Sequence, residues 1–299
     1  MLEVTLLGTG GMMPLPDRAL TSLYVRCDGR ALLIDCGEGT QTAIRKAGVR
    51  FKAIDAILIT HFHADHISGL PGLLLTLGNE GRTEKLTMYG PRGLEATVNA
   101  LRVIVPELPY EIAFREFDRG STEFFSCCGL EAVAFPVSHG MTCFGYRLER
   151  KRPGKFDPEA AKARNIPLRL WSRLQNGEEV EGFRPEDVLG APRKGIRILY
   201  ATDTRPVPAI SELGSGADLM ILEGMFGDPD RQPRAEETGH MMMQEAAQLA
   251  AEAGAAELWL THYSPATPQP ELYAEELKEI FPNVRVCADG TRAELRFRE

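Results

Sequence analysis

Four side chains that bind metal ions readily, His61, His63, Asp65 and His66, fall within six residues, directly after the apolar run Ala56-Ile-Leu-Ile-Thr60. In an extended strand end, residues two apart point the same way, so His61 and His63 can grip one ion. The chain must then turn, which presents Asp65 and His66 to a neighbouring point. Four donors exceed what one tetrahedral ion takes from a single loop, and two adjacent ions are the natural solution. A lone histidine is more often a core or surface residue than a ligand; three of them beside an aspartate are not.

Further donors also follow apolar runs. His139 comes after Ala132–Val137, Asp203 after Ile198-Leu-Tyr200, and His262 after Glu257–Leu260. Loops at strand ends are where an α/β scaffold holds a preorganised site. His240 precedes the helical stretch Met241–Ala253, where free backbone N–H groups and the positive helix end suit an anion. All six histidines of the chain are therefore absorbed into one prospective site.

The elements that must position these residues are legible as short apolar runs bounded by turn residues. Strands are expected at Glu3–Leu7, Ser22–Cys27, Ala31–Asp35, Ala56–Thr60, Lys85–Tyr89, Ala132–Val137 and Cys143–Leu148, then at Ile196–Ala201, Leu219–Leu222, Glu257–Leu260 and Val284–Cys287. Helices are expected at Gln41–Ala47, Leu70–Leu77, Gly93–Val103, Met241–Ala253 and Glu271–Ile280. Strands alternating with helices mean α/β layers. No Gly-x-Gly-x-x-Gly follows a strand with an acid ~20 residues on, which argues against a dinucleotide fold.

With 299 residues, 43% hydrophobic and 25% charged, the composition excludes a disordered or membrane-embedded chain. No apolar stretch approaches the ~20 residues of a spanning helix, and the N-terminus lacks the basic start of a signal peptide. Six cysteines without a Cys-x-x-Cys pair read as reduced thiols, and the expected compartment is the cytoplasm. The net charge of −8, taken alone, speaks against a nucleic-acid partner. From Arg147 to Arg197, however, strand signals fade, and 13 Lys and Arg face 8 Asp and Glu. Within it a short helix is expected after Asp157 as N-cap, with Pro158 at its first position. This segment is either a projecting basic arm, at about residues 150–195, or a solvated loop with a chance charge excess.

The run His61-x-His63-x-Asp65-His66, with Asp35 in Ile34-Asp35-Cys-Gly-Glu-Gly-Thr-Gln41 and His139, Asp203 and His262 downstream, resembles the metallo-β-lactamase superfamily. Within it, the Asp35–Gln41 run, His139 followed by Gly145-Tyr146, Thr202-Asp203-Thr-Arg-Pro206 and Gly239-His240 are similar to the ribonuclease Z family of tRNA 3′-processing endonucleases. The resemblance implies an α/β fold, the αββα sandwich with an inserted flexible arm. It implies two Zn²⁺ ions per subunit (Mn²⁺ or another divalent ion being the alternative). One ion falls to His61, His63 and His139 and the other to Asp65, His66 and His262, with Asp203 bridging. Asp35 then orients ligand histidines from behind, Asp65 orients the attacking water or accepts its proton, and His240 stabilises the phosphorane charge or protonates the departing 3′-oxygen. Glu223 matches a motif glutamate that would orient His240, the alternative being a buried structural glutamate.

The resemblance further implies a precursor-tRNA substrate, a homodimer, and an arm that grips RNA in the partner's service. Arg150, Lys151, Arg152, Lys155, Arg169 and Arg173 are then the expected RNA contacts. No membrane partner and no nucleotide cofactor are expected. Three features depart from the family pattern. The arm sequence Leu168-Arg-Leu-Trp171 lacks a Gly-Pro tip, the loop Pro14-Leu-Pro16-Asp-Arg18-Ala19 lacks a Lys and an Asn, and no His precedes Glu223. The other enzyme compatible with these residues is a phosphodiesterase of the same fold acting on other RNA or on a small diester.

Overall fold

The computed structural model describes residues 1–298. Strands β1 (Leu2–Gly8), β2 (Ser22–Cys27), β3 (Arg30–Ile34), β4 (Ile54–Leu58), β5 (Leu86–Pro91) and β6 (Ile112–Phe117) lie side by side in one sheet. Strands β7 (Glu123–Cys127), β8 (Leu130–Pro136), β9 (Phe144–Arg152), β10 (Arg193–Ala201), β11 (Leu219–Glu223), β12 (Leu258–Thr261) and β13 (Val284–Val286) form the second, and β14 (Arg292–Leu295) returns to pair with β1. Helices α1 (Thr40–Ala47), α2 (Ala64–Ile67), α3 (Leu70–Asn79) and α4 (Leu94–Leu101) belong to the first half. Then come α5 (Pro158–Ala163), α6 (Leu168–Gln175), α7 (Pro208–Leu213), α8 (Gln232–Thr238), α9 (Met243–Ala253) and α10 (Ala274–Ile280).

Side-chain alternation explains why the layers stack as helix, sheet, sheet, helix. In β3, Leu32 and Ile34 enter the core between the sheets, while Ala31 and Leu33 pack under α1 and α3. In β11, Leu219 and Ile221 face the first sheet, and Met220 and Leu222 pack against α7 and α9. A strand buried on both faces reads as a continuous apolar run, which is what made the central strands visible in the sequence. The expected αββα sandwich is the observed fold.

Three strands escaped the sequence, namely β6, β7 and β14, and all three are edge strands. They carry Arg115, Glu116, Glu123, Arg292 and Glu294, the charged residues that protect an open edge from mispairing. Charge of that kind erases the apolar pattern. At the other end of the scale, α9 begins at Met243 rather than Met241. His240 therefore lies in the loop between α8 and α9, not at a helix N-terminus, and the anion-binding role inferred for it from a helix end is corrected.

The inserted segment differs from expectation in two ways. Its ends are strands, for β9 runs to Arg152 and β10 starts at Arg193, paired directly with it. Between them the chain folds around its own small core of Ala161, Ile166, Leu170, Leu174, Val180 and Val188, flanked by Phe156, Trp171 and Phe183. Asp157 caps α5 through Glu159 N and Ala160 N, with Pro158 following, as expected. Residues 153–192 hold 6 Lys and Arg against 7 Asp and Glu. The basic excess expected for residues 150–195 thus sits on the two strands at the ends of the segment rather than on the module between them.

Candidate active site

The donors stand at the carboxyl ends of co-directional strands. β3 and β4 run parallel in one sheet; β10, β11 and β12 run parallel in the other, and β8 shares their direction because β9 is antiparallel to both β8 and β10. Asp35 follows β3, the His61–His66 run follows β4, and His139, Asp203, Glu223 and His262 follow or end β8, β10, β11 and β12. Two hydrogen bonds tie the sheets together there, Tyr146 Oη to Ile59 O at 2.7 Å and Phe144 N to Thr60 O at 3.1 Å. Asp35, Asp203 and His262 all take positive φ, at 62°, 54° and 56°. Left-handed backbone is unfavourable for non-glycine residues and concentrates where a site over-determines it. Here it turns each side chain inward as its strand ends.

Two donor sets result. His61 Nε2 lies 2.9 Å from His63 Nδ1, which is 3.3 Å from His139 Nε2. His66 Nε2 lies 3.1 Å from His262 Nε2, with Asp65 Oδ2 at 3.6 Å and 3.5 Å from the two. Asp203 stands between the sets. Its Oδ1 is 3.7 Å from His61 and 3.9 Å from His139, while its Oδ2 is 3.1 Å from His66 and 3.2 Å from His262.

The surroundings fit a pair of divalent ions. Asp203 Oδ2 is buried without a hydrogen-bond partner, a costly state that a cation relieves. Ring nitrogens oppose each other at hydrogen-bond distance, which requires either a proton or a shared positive ion between them. Burial holds His61 well below the usual imidazole range, and the neighbouring imidazoles add to this, so it stays neutral, as a ligand must be. Burial also pulls His66 down, but the Asp203 and Asp35 carboxylates outweigh it and hold this imidazole well above its usual range. Positive charge is wanted at that point.

Asp35 sets the orientation from behind. It accepts from Thr60 N at 2.8 Å and Thr60 Oγ1 at 2.9 Å, and His66 Nδ1 lies 2.8 Å from it. The Thr60 hydroxyl in turn lies 3.0 Å from His61 Nδ1. One buried carboxylate therefore fixes the Nδ1 side of two imidazoles and leaves both Nε2 lone pairs facing the site. His139 is set similarly, its Nδ1 3.1 Å from Gly239 O.

At the margin, His240 Nδ1 lies 2.8 Å from Glu223 Oε2, and Glu223 Oε1 accepts from Thr204 N at 2.6 Å. Burial lowers the His240 pKa, but the Glu223 carboxylate more than reverses that and raises it to about 9. Asp65 is the opposite case. Burial raises it, yet the His262 and His66 imidazoles hold its carboxyl well below the usual range. Met12 N donates to Asp65 Oδ2 at 2.6 Å.

Every metal ligand expected from the sequence is brought into this one cluster, with His240, Asp35 and Glu223 around it. The six expected RNA contacts are not. Arg150 and Arg152 lie on β9, bonded to Met1 O with Asp28, and to Arg298 O. Lys151 pairs with Glu131, Arg169 with Glu181 and Arg173 with Glu178, while Lys155 is exposed at the neck of the module. Four contributors escaped the sequence, namely Thr60, the Met12 amide, Arg205 and Glu245. Arg205 Nη1 donates to His240 O at 2.5 Å and to Glu245 at 2.8 Å, and Arg205 N donates to Ser138 O at 2.9 Å, beside His139. Only the position of Arg205 two residues after Asp203 hinted at this.

Two sheets in an αββα sandwich with paired His/Asp donor sets on one edge define a metallo-β-lactamase-type hydrolase. A family model described as Beta-lactamase superfamily domain matches residues 30–263. The chain is 52% identical over 303 residues to a protein named Ribonuclease Z from Lachnoclostridium phytofermentans, covering 99% of each chain. It is 50% identical over 303 residues to another of that name from Agathobacter rectalis, covering 100% of each. Among solved structures, human tRNase Z, short form, superposes with a TM-score of 0.73 at 24% identity, over 99% of this chain and 100% of that one. The chain belongs to the ribonuclease Z family of the metallo-β-lactamase superfamily, and it is a hydrolytic endoribonuclease.

Proposed function

We propose that this enzyme removes the 3′ trailer from precursor tRNA, leaving a 3′-hydroxyl on the tRNA and a 5′-phosphate on the trailer. What carries the proposal is the pair of donor sets on either side of Asp203, complete and facing each other in a chain alike over its full length to proteins named Ribonuclease Z. Zn²⁺ is the proposed metal, two ions per subunit. His61, His63 and His139 with Asp203 would hold one, and Asp65, His66 and His262 with Asp203 the other; nitrogen and carboxylate donors suit this ion. Bound there, the ions supply positive charge to the phosphodiester oxygens and acidify a water.

The chain's own residues do the rest. Asp65 remains ionised and can take the proton of the attacking water. His240, protonated at neutral pH, can donate from Nε2 to the departing 3′-oxygen, since its Nδ1 is engaged by Glu223. Such proton donation is worth about 10²–10⁴ in rate.

A homodimer in the cytoplasm completes the proposal. The inserted module leaves β9 at Arg152, at the far end of the strand from the metal centre, and nine residues at ~3.3 Å each put roughly 25–30 Å between them. That separation favours service to the site of a second copy. All six cysteines are buried free thiols, in keeping with a reducing compartment. No helix among the described residues is long and apolar enough to cross a membrane.

Incubation with an end-labelled precursor tRNA and mapping of the product ends tests this directly. Cleavage next to the discriminator base by the intact enzyme, lost in Asp65→Ala and His240→Ala, is the expected result. Absence of that cut with hydrolysis of an activated diester retained would move the substrate to another RNA or a small diester.

A further inference from the structure

Most charges on the inserted module are spent on one another, the exposed Arg184 being, away from the neck, the cation outside these pairs. Arg169 pairs with Glu181 at 2.6 Å, Arg173 with Glu178 at 2.7 Å, Lys162 with Glu159 at 2.8 Å and Arg164 with Asp187 at 3.6 Å. A paired cation offers an incoming phosphate a dipole rather than a charge, with the carboxylate repelling it. The body of β9 and β10 is similarly engaged, Arg150 with Asp28, Lys151 with Glu131 and Arg197 with Glu149.

The neck of the module is different. Among the described residues, Arg152, Lys155, Arg193 and Lys194 have no carboxylate partner. Arg152 and Arg193 are direct partners in the ladder. Like charges placed opposite each other destabilise a strand pair. Arg152 donates to Arg298 O and lies over the Phe297 ring, but neither arginine has an acid, and an external anion would neutralise the pair. The neck is also well defined. Arg193 Nε donates to Pro153 O at 3.0 Å, Gly190 N to Lys155 O at 2.9 Å and Asp157 N to Val188 O at 2.7 Å. A Cβ on Gly154 would meet Gly190 O at 1.9 Å, so the two strands of the neck touch backbone to backbone. Lys155 and Lys194 are exposed on it.

We propose that Arg152, Lys155, Arg193 and Lys194, on the neck joining β9 and β10 to the inserted module, are the surface that binds RNA phosphates, and that the arginines of α6 are not. This rests on the RNA substrate proposed above and changes which residues hold it. Contacts of this kind position a substrate without reading its sequence.

The test is precursor-tRNA affinity across a salt series for the intact enzyme, for a Lys155→Gln/Arg193→Gln/Lys194→Gln variant, and for an Arg169→Gln/Arg173→Gln variant. Each lost phosphate contact makes the slope of log affinity against log salt shallower by about one. The neck variant is expected to lose about two to three of that slope and to bind at least about tenfold more weakly at low salt, with metal content unchanged. The α6 variant is expected to keep the slope of the intact enzyme. An unchanged slope in the neck variant, or a shallower one in the α6 variant, overturns the proposal. Should the triple change lower the melting midpoint, Lys155→Gln/Lys194→Gln, two exposed residues outside any ion pair, carries the same test. Intact enzyme that cleaves precursor tRNA while the neck variant binds it equally well defeats this proposal alone. Intact enzyme that neither binds nor cleaves it defeats the substrate assignment and this proposal with it.

Discussion

Glu223 and His240 form a buried acid–imidazole pair, Oε2 to Nδ1 at 2.8 Å, whose second carboxylate oxygen is anchored on Thr204 N one residue beyond Asp203. The pair ties His240, the proposed proton donor, to the loop that carries Asp203. Its electrostatic effect has a definite sign. Burial opposes protonation of His240, Glu223 favours it more strongly, and the pKa rises to about 9. The donor is therefore charged at neutral pH, and cleavage should fall as pH climbs through that value. Glu223→Gln keeps the shape and removes the charge, so the alkaline limb of the kcat profile should move to lower pH by roughly one unit or more. A profile identical to that of the intact enzyme would remove His240 from the acid role.

On the proposed metal assignment, Asp35 and Thr60 would act on the metal ligands His66 and His61 rather than on the substrate. Asp35→Asn and Thr60→Val each disturb the Nδ1 side of His66 and His61. Loss of such a supporting contact typically costs 10–100-fold in metal affinity. Competition with a chromogenic chelator should show weaker binding in both variants, with Asp35→Asn the more severe because its carboxylate serves both histidines.

Arg205 reaches the carbonyl of His240 and the carboxylate of Glu245, which in turn accepts from Met242 N at 2.9 Å to cap α9. Arg205→Lys retains the charge but cannot span both acceptors. RNA cleavage should slow about tenfold or more, a loss on the scale of one hydrogen bond to a charged group. An activated p-nitrophenyl diester, whose leaving group needs no proton, should be spared. Equal losses on both substrates would mean that Arg205 supports the metal cluster and not the donor.

Gly11 packs against the ring of His262, and a Cβ there would stand 2.7 Å from its Cε1. Gly11→Ala should displace this ligand and lower metal occupancy, measured by elemental analysis of the purified protein. Full occupancy with normal turnover would show that the loop moves aside.

Removal of the metal should also cost stability. Without cations, Asp203 Oδ2 has no partner and imidazole nitrogens confront one another in a buried space. Ligand binding to the folded state alone stabilises it by about 2.7 kcal/mol at a hundredfold excess over Kd. Stripping with a chelator should therefore lower the melting midpoint, and Zn²⁺ should restore it in a concentration-dependent way. A midpoint indifferent to metal would contradict the assignment of these donors.

The chemistry of the centre was legible in the sequence because each ligand sits one to eight residues past a buried strand, and those strands announce themselves by apolar runs such as Ala56–Leu58 and Leu219–Leu222. Residue type and distance from a strand end are local properties, and with the motif order they named the His/Asp set, the layered fold and the family. The edge strands stayed hidden because their exposed faces carry charge instead of a pattern. The role of Thr60 and Arg205, and the place of His240 away from a helix end, depended on which loops the two sheets bring together.

Charge shows the same division most plainly. The sequence by itself determined how many cations lie between Arg147 and Arg197. Only the tertiary structure decided which remain available, because pairing Arg169 with Glu181, or Arg152 with Arg193, needs chain segments 12 and 41 residues apart to meet. A count is additive along a chain; a field depends on distances in space.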